Sequence, residues 1–176
     1  MRRLRYGVAA SLDGFIAGPD GEYDWIVHDP AIDFAVMFAQ YDTFLMGRGT
    51  YEVAREKGKS WDRTGQRWVV VSTTLRPEDH PDVTIFSSGV AEAVAALKAE
   101  PGKDIWLFGG GVLFRSMLDA GLVDTVEVEL MPVMLGSGVP LLAEGRRRSL
   151  QLKESRALPS GILMLSYSVI QDSAVD

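Results

Sequence analysis

The sequence contains no cysteine and no long run of apolar residues. Without cysteine the chain can form neither disulfide bonds nor thiolate metal sites, and it has no cysteine nucleophile. This composition fits a reducing compartment, so we expect a cytoplasmic protein. No stretch approaches the roughly 18 apolar residues that cross a bilayer, so we expect no transmembrane helix. The basic and then apolar start, MRRLRYGVAAS, is interrupted by Asp13 and Gly14, which argues against a signal peptide.

Basic residues are scarce relative to acidic ones. The 176 residues include 18 lysines and arginines against 24 aspartates and glutamates, a formal net charge of -6. Domains that bind nucleic acids or anionic membranes usually carry a basic surplus, so we expect neither partner. The two histidines, His28 and His80, have no spacing that suits a metal, and we expect no metal site. No shift in composition divides the chain, so we expect residues 1–176 to form one domain.

The first two-thirds of the chain is predicted to alternate between strands and helices. Strands are predicted at LRYGVAAS, TFLMG, RWVVVS, VTIFSS and DIWLF. Helices are predicted at DPAIDFAVMFAQY with Asp29 as N-cap, at RGTYEVARE, at VAEAVAALKAE with Ser88 as N-cap, and at VLFRSMLDAG. The segments LDGFIAGPDGEYDW and KGKSWDRTGQ are predicted loops. This alternation is typical of a parallel sheet with helical crossovers.

After Gly121 the pattern changes to strands alone. TVEVEL alternates, with valine and leucine on one face and Glu127 and Glu129 on the other. Two further strands, SLQLKESRAL and ILMLSYSVI, are joined by the turn PSG. The predicted fold class is therefore α/β, a mixed sheet that is mostly parallel with an antiparallel C-terminal edge.

The longest run of glycine in the sequence lies between a predicted strand and a predicted helix. The strand DIWLF runs into Gly109, Gly110 and Gly111, and Val112 opens the helix. Helix N-termini expose unpaired amides and a partial positive charge, so this junction suits a phosphate group. A standard G-x-G-x-x-G fingerprint is absent, because position 114 is Phe. A tight turn that packs the strand on the helix is the alternative explanation.

Two other predicted strands end in residues that suit phosphate. TFLMG ends in Gly47 and is followed by Arg48 and Thr50, and RWVVVS ends in Ser72. Open parallel sheets bind ligands outside the carboxyl ends of their strands, so we expect one groove for an elongated phosphorylated nucleotide. An arginine can pair with a 2′-phosphate, which favours NADPH. Taken singly, Arg48 is also compatible with a solvated surface charge, and Ser72 with a turn.

Four stretches, in order, carry a family resemblance: ASLDGFIAGPDG, LMGRGTYE, LFGGGVLFRSML and LMPVMLGSGVPLL. They resemble the dihydrofolate reductase fold, and in particular the reductase domain of the bifunctional riboflavin-biosynthesis deaminase-reductase. The resemblance implies a three-layer fold with helices on both faces of the sheet. It also implies a nicotinamide nucleotide held by the first three of these stretches, with Ala10 and Ile16 against the nicotinamide, and a homodimer formed through the antiparallel edge. The family's zinc deaminase domain needs cysteine ligands, so we expect no deaminase activity.

The resemblance also implies a residue that holds the substrate. In dihydrofolate reductase a helix carboxylate fixes the pterin ring, and Asp33 in PAIDFAVMF is the best match. Such a carboxylate can pair with two N–H groups of a 2-amino-4-oxo ring and support proton delivery. An exposed acid in the first helical turn is the alternative explanation for Asp33. Trp25 either stacks on a flat substrate or closes the edge of the core.

These observations lead to one functional hypothesis with two alternatives. We expect an NADPH-dependent reductase that transfers hydride to a small heterocyclic substrate, similar to 5-amino-6-(5-phosphoribosylamino)uracil reductase of riboflavin biosynthesis. The alternatives are dihydrofolate reductase proper and a nucleotide-binding module without catalysis. Because bound cofactors carry out hydride transfer themselves, we expect no dense cluster of catalytic side chains.

Overall fold

The structure, a computed structural model, describes residues 1–56 and 65–171. Most of the predicted loop KGKSWDRTGQ lies outside the described residues. The strands are β1 Leu4–Ser11, β2 Phe15–Ala17, β3 Tyr41–Gly47, β4 Arg67–Val71, β5 Thr84–Phe86, β6 Asp104–Gly109, β7 Thr125–Met131, β8 Val139–Pro140, β9 Leu150–Ala157 and β10 Leu163–Val169. The helices are α1 Phe34–Phe38, α2 Arg48–Glu56, α3 Val90–Ala99 and α4 Gly111–Asp119.

Eight of the strands form one sheet in the order β5-β4-β3-β6-β1-β7-β10-β9. Neighbours from β5 to β7 are parallel, whereas β10 is antiparallel to both β7 and β9. The predicted sheet, mostly parallel with an antiparallel edge, is confirmed. β7 joins the two parts, since it pairs in parallel with β1 on one side. β2, which lies inside a predicted loop, pairs with β8 in a separate two-stranded sheet.

The sheet is covered by helices on both faces, which gives the predicted three layers. Under α3 and α4 the core contains alternate residues of the central strands, including Tyr6, Leu45 and Leu107. On the opposite face, the aromatic side chains of Phe44 and Trp106 pack in a second cluster beside α2. Because the central strands are buried on both faces, their sequences are continuous apolar runs rather than alternating ones. None of the described helices is long and apolar enough to cross a membrane.

Two predicted N-caps were wrong. α1 begins at Phe34, and Asp33 is its N-cap, accepting a hydrogen bond from the Val36 amide at 3.0 Å. Asp29 instead accepts hydrogen bonds from the backbone amides of Ala31 at 2.7 Å and Ser160 at 3.2 Å. Its carboxylate therefore ties the segment before α1 to the turn between β9 and β10.

The second correction concerns α3. Its N-cap is Gly89 and not Ser88, with no capping side chain, and the φ angle of Gly89 is 57°. This left-handed backbone is accessible to glycine at low cost, so glycine makes the sharp entry into the helix.

Hydrogen bonds to Asp13 connect the two long loops at the carboxyl edge of the sheet. Its carboxylate accepts hydrogen bonds from Ser11 Oγ at 2.6 Å and from the amides of Leu135 at 3.1 Å and Gly136 at 2.7 Å. These hydrogen bonds, that of Ser11 first, lower the pKa of Asp13 to about 2. The stretches ASLDGFIAGPDG and LMPVMLGSGVPLL, which are far apart in sequence, are therefore held side by side.

Candidate active site

The three strand ends with predicted phosphate-binding residues are neighbours. β4, β3 and β6 are adjacent and parallel, so the residues that follow them lie at one edge of the sheet. Gly47 lies opposite Val71, which precedes Ser72, and Met46 lies opposite Gly109. The groove that the sequence predicts therefore has the required topology.

Thr50, Gly109 and Gly110 form what we call the glycine cradle. A Cβ atom added to Gly109 would lie 3.2 Å from Thr50 Oγ1, and one added to Gly110 would lie 4.0 Å from it. The φ angles of the two glycines are 152° and 92°, which L side chains rarely adopt. The Thr50 hydroxyl therefore lies beside the backbone of Gly109 and Gly110, which carry no side chain, close to the start of α4.

The first turn of α4 leaves its amides available. Gly110 is the N-cap residue, and no described side chain caps the helix. The unpaired amides and the helix dipole favour an anion at this point. A Cβ on Gly111 would lie 2.6 Å from the Pro140 carbonyl oxygen, so β8 packs directly on this residue. The Val112 side chain is 77% exposed, so any contact with a bound phosphate comes from its backbone amide.

Arg48 and Ser72 also lie at this edge, but both have protein partners. Arg48 is about half exposed, and its Nη1 lies 3.5 Å from Glu52 Oε1, one helical turn away. Exposed pairs of this kind contribute little, so Arg48 remains able to turn toward an anion. The buried Ser72 Oγ accepts hydrogen bonds from the amides of Thr74 at 3.2 Å and Leu75 at 3.1 Å, which stabilise a turn.

A cavity of about 990 Å³ lies on the sheet face beneath α1. Its floor comes from β1, β7 and β10, β9 lies at its rim, and one wall comes from α1 and the preceding segment. Phe108 and Ile16 line it at the carboxyl edge, and Phe108 directly precedes the glycine cradle. Trp106 lies across β1, where a Cβ on Gly7 would be 2.7 Å from its indole nitrogen. The cavity and the cradle therefore adjoin, and aromatic rings line part of the cavity.

Arg5 is fully engaged on the cavity floor. Its Nε and Nη2 donate to the two carboxylate oxygens of Glu127, each at 2.9 Å. Its Nη1 donates to Gln40 Oε1 at 2.9 Å, and the guanidinium lies 4.7 Å from the centre of the Tyr41 ring. Tyr41 also donates its hydroxyl hydrogen to Glu127 at 3.3 Å. Arg5 Nη1 also lies 3.4 Å from Asp104 Oδ2, and these contacts fix the floor at the end away from the carboxyl edge.

Glu129 lies on the same floor, two residues nearer the carboxyl edge. It is partly buried, opposite Ala9 of β1 and Met164 of β10, and both of these residues line the cavity. Burial and the nearby charge of Glu127 raise the pKa of Glu129. Within residues 1–56 and 65–171 no hydrogen bond or ion pair to its carboxyl group is found. Its carboxylate oxygens are therefore available to a ligand.

The two residues predicted to bind the substrate do not line the cavity. Asp33 is exposed, caps α1 and is not among the residues that line the cavity. Trp25 packs against the cluster of Met131 and Ile162, and its indole nitrogen donates to the Glu22 carbonyl at 3.2 Å. This arrangement matches the alternative explanations, a helix-terminal acid and a residue at the edge of the core.

Of the two residues predicted to contact the nicotinamide, both pack with the core cluster beneath α3 and α4, and Ile16 also borders the cavity. The methyl group of Ala10 is buried in this core, on the sheet face opposite the cavity. Ala9 contributes its side chain to the cavity instead. Sequence reasoning missed Glu127 and Glu129 as site residues, although the alternation of TVEVEL had placed both on the polar face of β7. Both glutamates line the cavity, on the face of β7 opposite the core beneath α3 and α4.

The chain is similar over most of its length to other proteins. Residues 2–164 match the RibD C-terminal domain family. The uncharacterized protein YyaP of Bacillus subtilis is 34% identical over 178 residues, which is 94% of each chain. A candidate riboflavin biosynthesis protein from Shewanella sp. PV-4 is 25% identical, with a TM-score of 0.83 over 97% of this chain and 100% of that one.

Two more distant structures share the fold. One is a diaminohydroxyphosphoribosylaminopyrimidine deaminase/5-amino-6-(5-phosphoribosylamino)uracil reductase from Thermotoga maritima. It is 18% identical, with a TM-score of 0.72 over 96% of this chain and 57% of that one. The other is dihydrofolate reductase from Enterococcus faecalis complexed with NADP(H) and RAB-propyl, 17% identical, with a TM-score of 0.68 over 96% and 97%. The fold is thus that of dihydrofolate reductase, and the chain belongs to the RibD C-terminal domain family.

Proposed function

We propose that the protein is an NADPH-dependent reductase that transfers hydride to a small heterocyclic substrate bound in the cavity. The observation that carries the proposal is the direct junction of the cavity with the glycine cradle, where Phe108 is followed by Gly109. Membership of a reductase-like family supports this assignment. So does the fold shared with a dihydrofolate reductase that is described as complexed with NADP(H).

The residues at the carboxyl edge fit a phosphate-bearing cofactor. The uncapped first turn of α4 suits a pyrophosphate, and a methyl group at Gly109 would fill the space beside Thr50. Arg48, whose one ion pair among residues 1–56 and 65–171 is the exposed pair with Glu52, suits a 2′-phosphate. We infer that the cofactor is held by Gly47, Arg48, Thr50, Ser72, Gly109, Gly110, Gly111 and the Val112 amide.

The nicotinamide ring would enter the cavity at its carboxyl end. Ile16 would contact it through its side chain, and Ala10 through its backbone, because the Ala10 methyl is buried on the other face. NADPH supplies the hydride when bound, so the protein has to orient the substrate and keep water away. The aromatic wall around Trp106 excludes water, and the pair of Arg5 with Glu127 keeps the floor rigid.

A substrate screen tests this proposal. Oxidation of NADPH is followed by the absorbance of the reduced nicotinamide, with dihydrofolate and with the phosphoribosylaminopyrimidine of riboflavin synthesis as separate substrates. Turnover of the pyrimidine supports the reductase proposed here, and turnover of dihydrofolate alone supports dihydrofolate reductase proper. If NADPH binds but neither compound is reduced, a non-catalytic nucleotide-binding module gains support. If NADPH does not bind, the proposal fails.

A further inference from the structure

One carboxyl group in the cavity has no role in holding the fold together. The charged or titratable side chains that line the cavity, besides Tyr41, are Arg5, His28, Glu127, Glu129, Glu154 and Arg156. Arg5 and Glu127 neutralise each other through two hydrogen bonds. Glu154 and Arg156 belong to β9, which is exposed along its whole length, so they lie at the rim. Glu129 is the carboxyl group that combines a position on the partly buried floor with unused hydrogen-bonding capacity.

The position of Glu129 relates it to both parts of the proposed site. Across the β1–β7 pair it lies opposite Ala9, one residue before Ala10, where the nicotinamide is proposed to lie. Farther along the floor, Gly7 lies opposite Glu127, and Trp106 covers Gly7. A flat ring that lies along this floor beside the aromatic wall would direct one polar edge at Glu129. Any ligand group there has to compensate a carboxylate that is partly removed from water.

We propose that Glu129 is the specificity-determining residue, whose two carboxylate oxygens accept hydrogen bonds from two adjacent N–H groups of the heterocyclic substrate. The inference rests on the proposed function and deepens it, because it names the substrate class as a heterocycle with a donor–donor edge, such as a 2-amino-4-oxo ring. An ionised carboxylate only accepts hydrogen bonds, so ligands with acceptors on that edge are disfavoured. The carboxylate that binds the ring thus comes from the sheet, and Asp33 instead serves as the N-cap of α1.

A pair of small probes isolates this contact. 2-Aminopyrimidin-4(3H)-one presents an amino group beside a ring N–H, whereas pyrimidin-4(3H)-one has the same ring without the amino group. Their affinities are measured by calorimetric titration of the full chain, with and without NADPH. We expect the wild type to bind the amino compound about tenfold more tightly, since the second hydrogen bond to a charged acceptor is lost with the amino group.

Glu129→Gln is the decisive variant. It keeps the side-chain shape but turns one acceptor into a donor, so we expect the preference for the amino compound to fall to about twofold or less. Glu154→Gln, at the rim of the same cavity, is the matched control and is expected to retain the preference. An undiminished preference in Glu129→Gln, or an equal loss in both variants, would overturn the inference.

A second measurement separates this inference from the proposed function. The NADPH affinity of Glu129→Gln should equal that of the wild type, because Glu129 is not part of the glycine cradle. If the wild type binds the amino compound selectively but never binds NADPH, the proposed function fails and the recognition by Glu129 stands. If NADPH binds but the wild type binds the two probes with equal affinity, the inference about Glu129 fails and the proposed function is unaffected.

Discussion

Replacing Gly110 with alanine should weaken NADPH binding by much more than a comparable substitution at the other end of the same helix. The φ angle of Gly110 is 92°, and holding an L residue in such a conformation costs about 1–3 kcal/mol. For a chain of this size, that cost corresponds to a decrease in Tm of about 2–12 °C. Rotation of the backbone to relieve the strain would also turn the first amides of α4 away from the proposed phosphate.

The effect on binding can be estimated from the contact that is lost. A hydrogen bond to a charged group contributes about 1.5–3 kcal/mol. Losing one such bond raises the Kd of NADPH by roughly 10- to 150-fold. The increase is measured by titrating the fluorescence of the bound reduced nicotinamide, at a temperature well below the Tm of the variant.

Gly121→Ala is the matched control. Gly121 follows the C-terminus of α4 with a φ angle of 68°, and a Cβ there would lie 3.4 Å from the Gln171 side chain. We expect a similar loss of stability without a change in NADPH affinity, because this end of the helix is remote from the cradle. Equal NADPH affinity in Gly110→Ala and Gly121→Ala, with both variants folded, would refute the role assigned to the start of α4.

Three further outcomes are expected. Arg48→Ala should weaken NADPH far more than NADH, whereas Glu52→Gln should not; an unchanged coenzyme preference in Arg48→Ala would remove the reason for choosing NADPH. β9 is exposed along its whole length and carries Leu152 at 52% exposure, so we expect a homodimer that covers this strand. Light scattering at micromolar protein should give the mass of the dimer, and Leu152→Lys should shift it toward the mass of the monomer. A monomeric wild type would contradict this. The carboxylate of Asp13 has a folded pKa of about 2, below its ordinary 3.8, so it stabilises the fold above about pH 3.8 and this contribution is lost as the pH falls toward 2. Asp13→Asn should therefore flatten the acid side of a plot of unfolding free energy against pH, and a curve that parallels the wild type would argue against the two-loop contact.

The sheet could be predicted from the sequence because its strands are specified by local composition. β1 and α2 have the bounds that the apolar pattern indicates, Leu4–Ser11 and Arg48–Glu56. The start of α1 could not be predicted, because Asp29 and Asp33 both suit an N-cap. The choice depends on a contact of Asp29 with Ser160, which is 131 residues away in sequence.

Only part of the candidate site could be predicted, because local patterns specify strand ends but not which strands pair. The glycine cradle follows from strand ends, whose position in a parallel sheet is a matter of topology. The cavity floor depends on β7 lying beside β1, a long-range pairing that no local pattern specifies. The family resemblance therefore favours Asp33, the N-cap of α1. In the sequence, Glu129 on β7 is only one of two glutamates in an alternating strand.

The central position of β1 has a consequence for how the chain is made. Leu4 pairs with Ile105, and Arg5 pairs with Thr125, so both neighbours of this strand are synthesised much later. At a synthesis rate of about 5–20 residues per second, roughly 5–25 s pass between the synthesis of β1 and that of the strands that pair with it. The hairpin of β9 and β10 closes locally and needs no such delay. During this interval the apolar first strand can pair with other nascent chains, so aggregation competes with folding at the N-terminal end of the sheet.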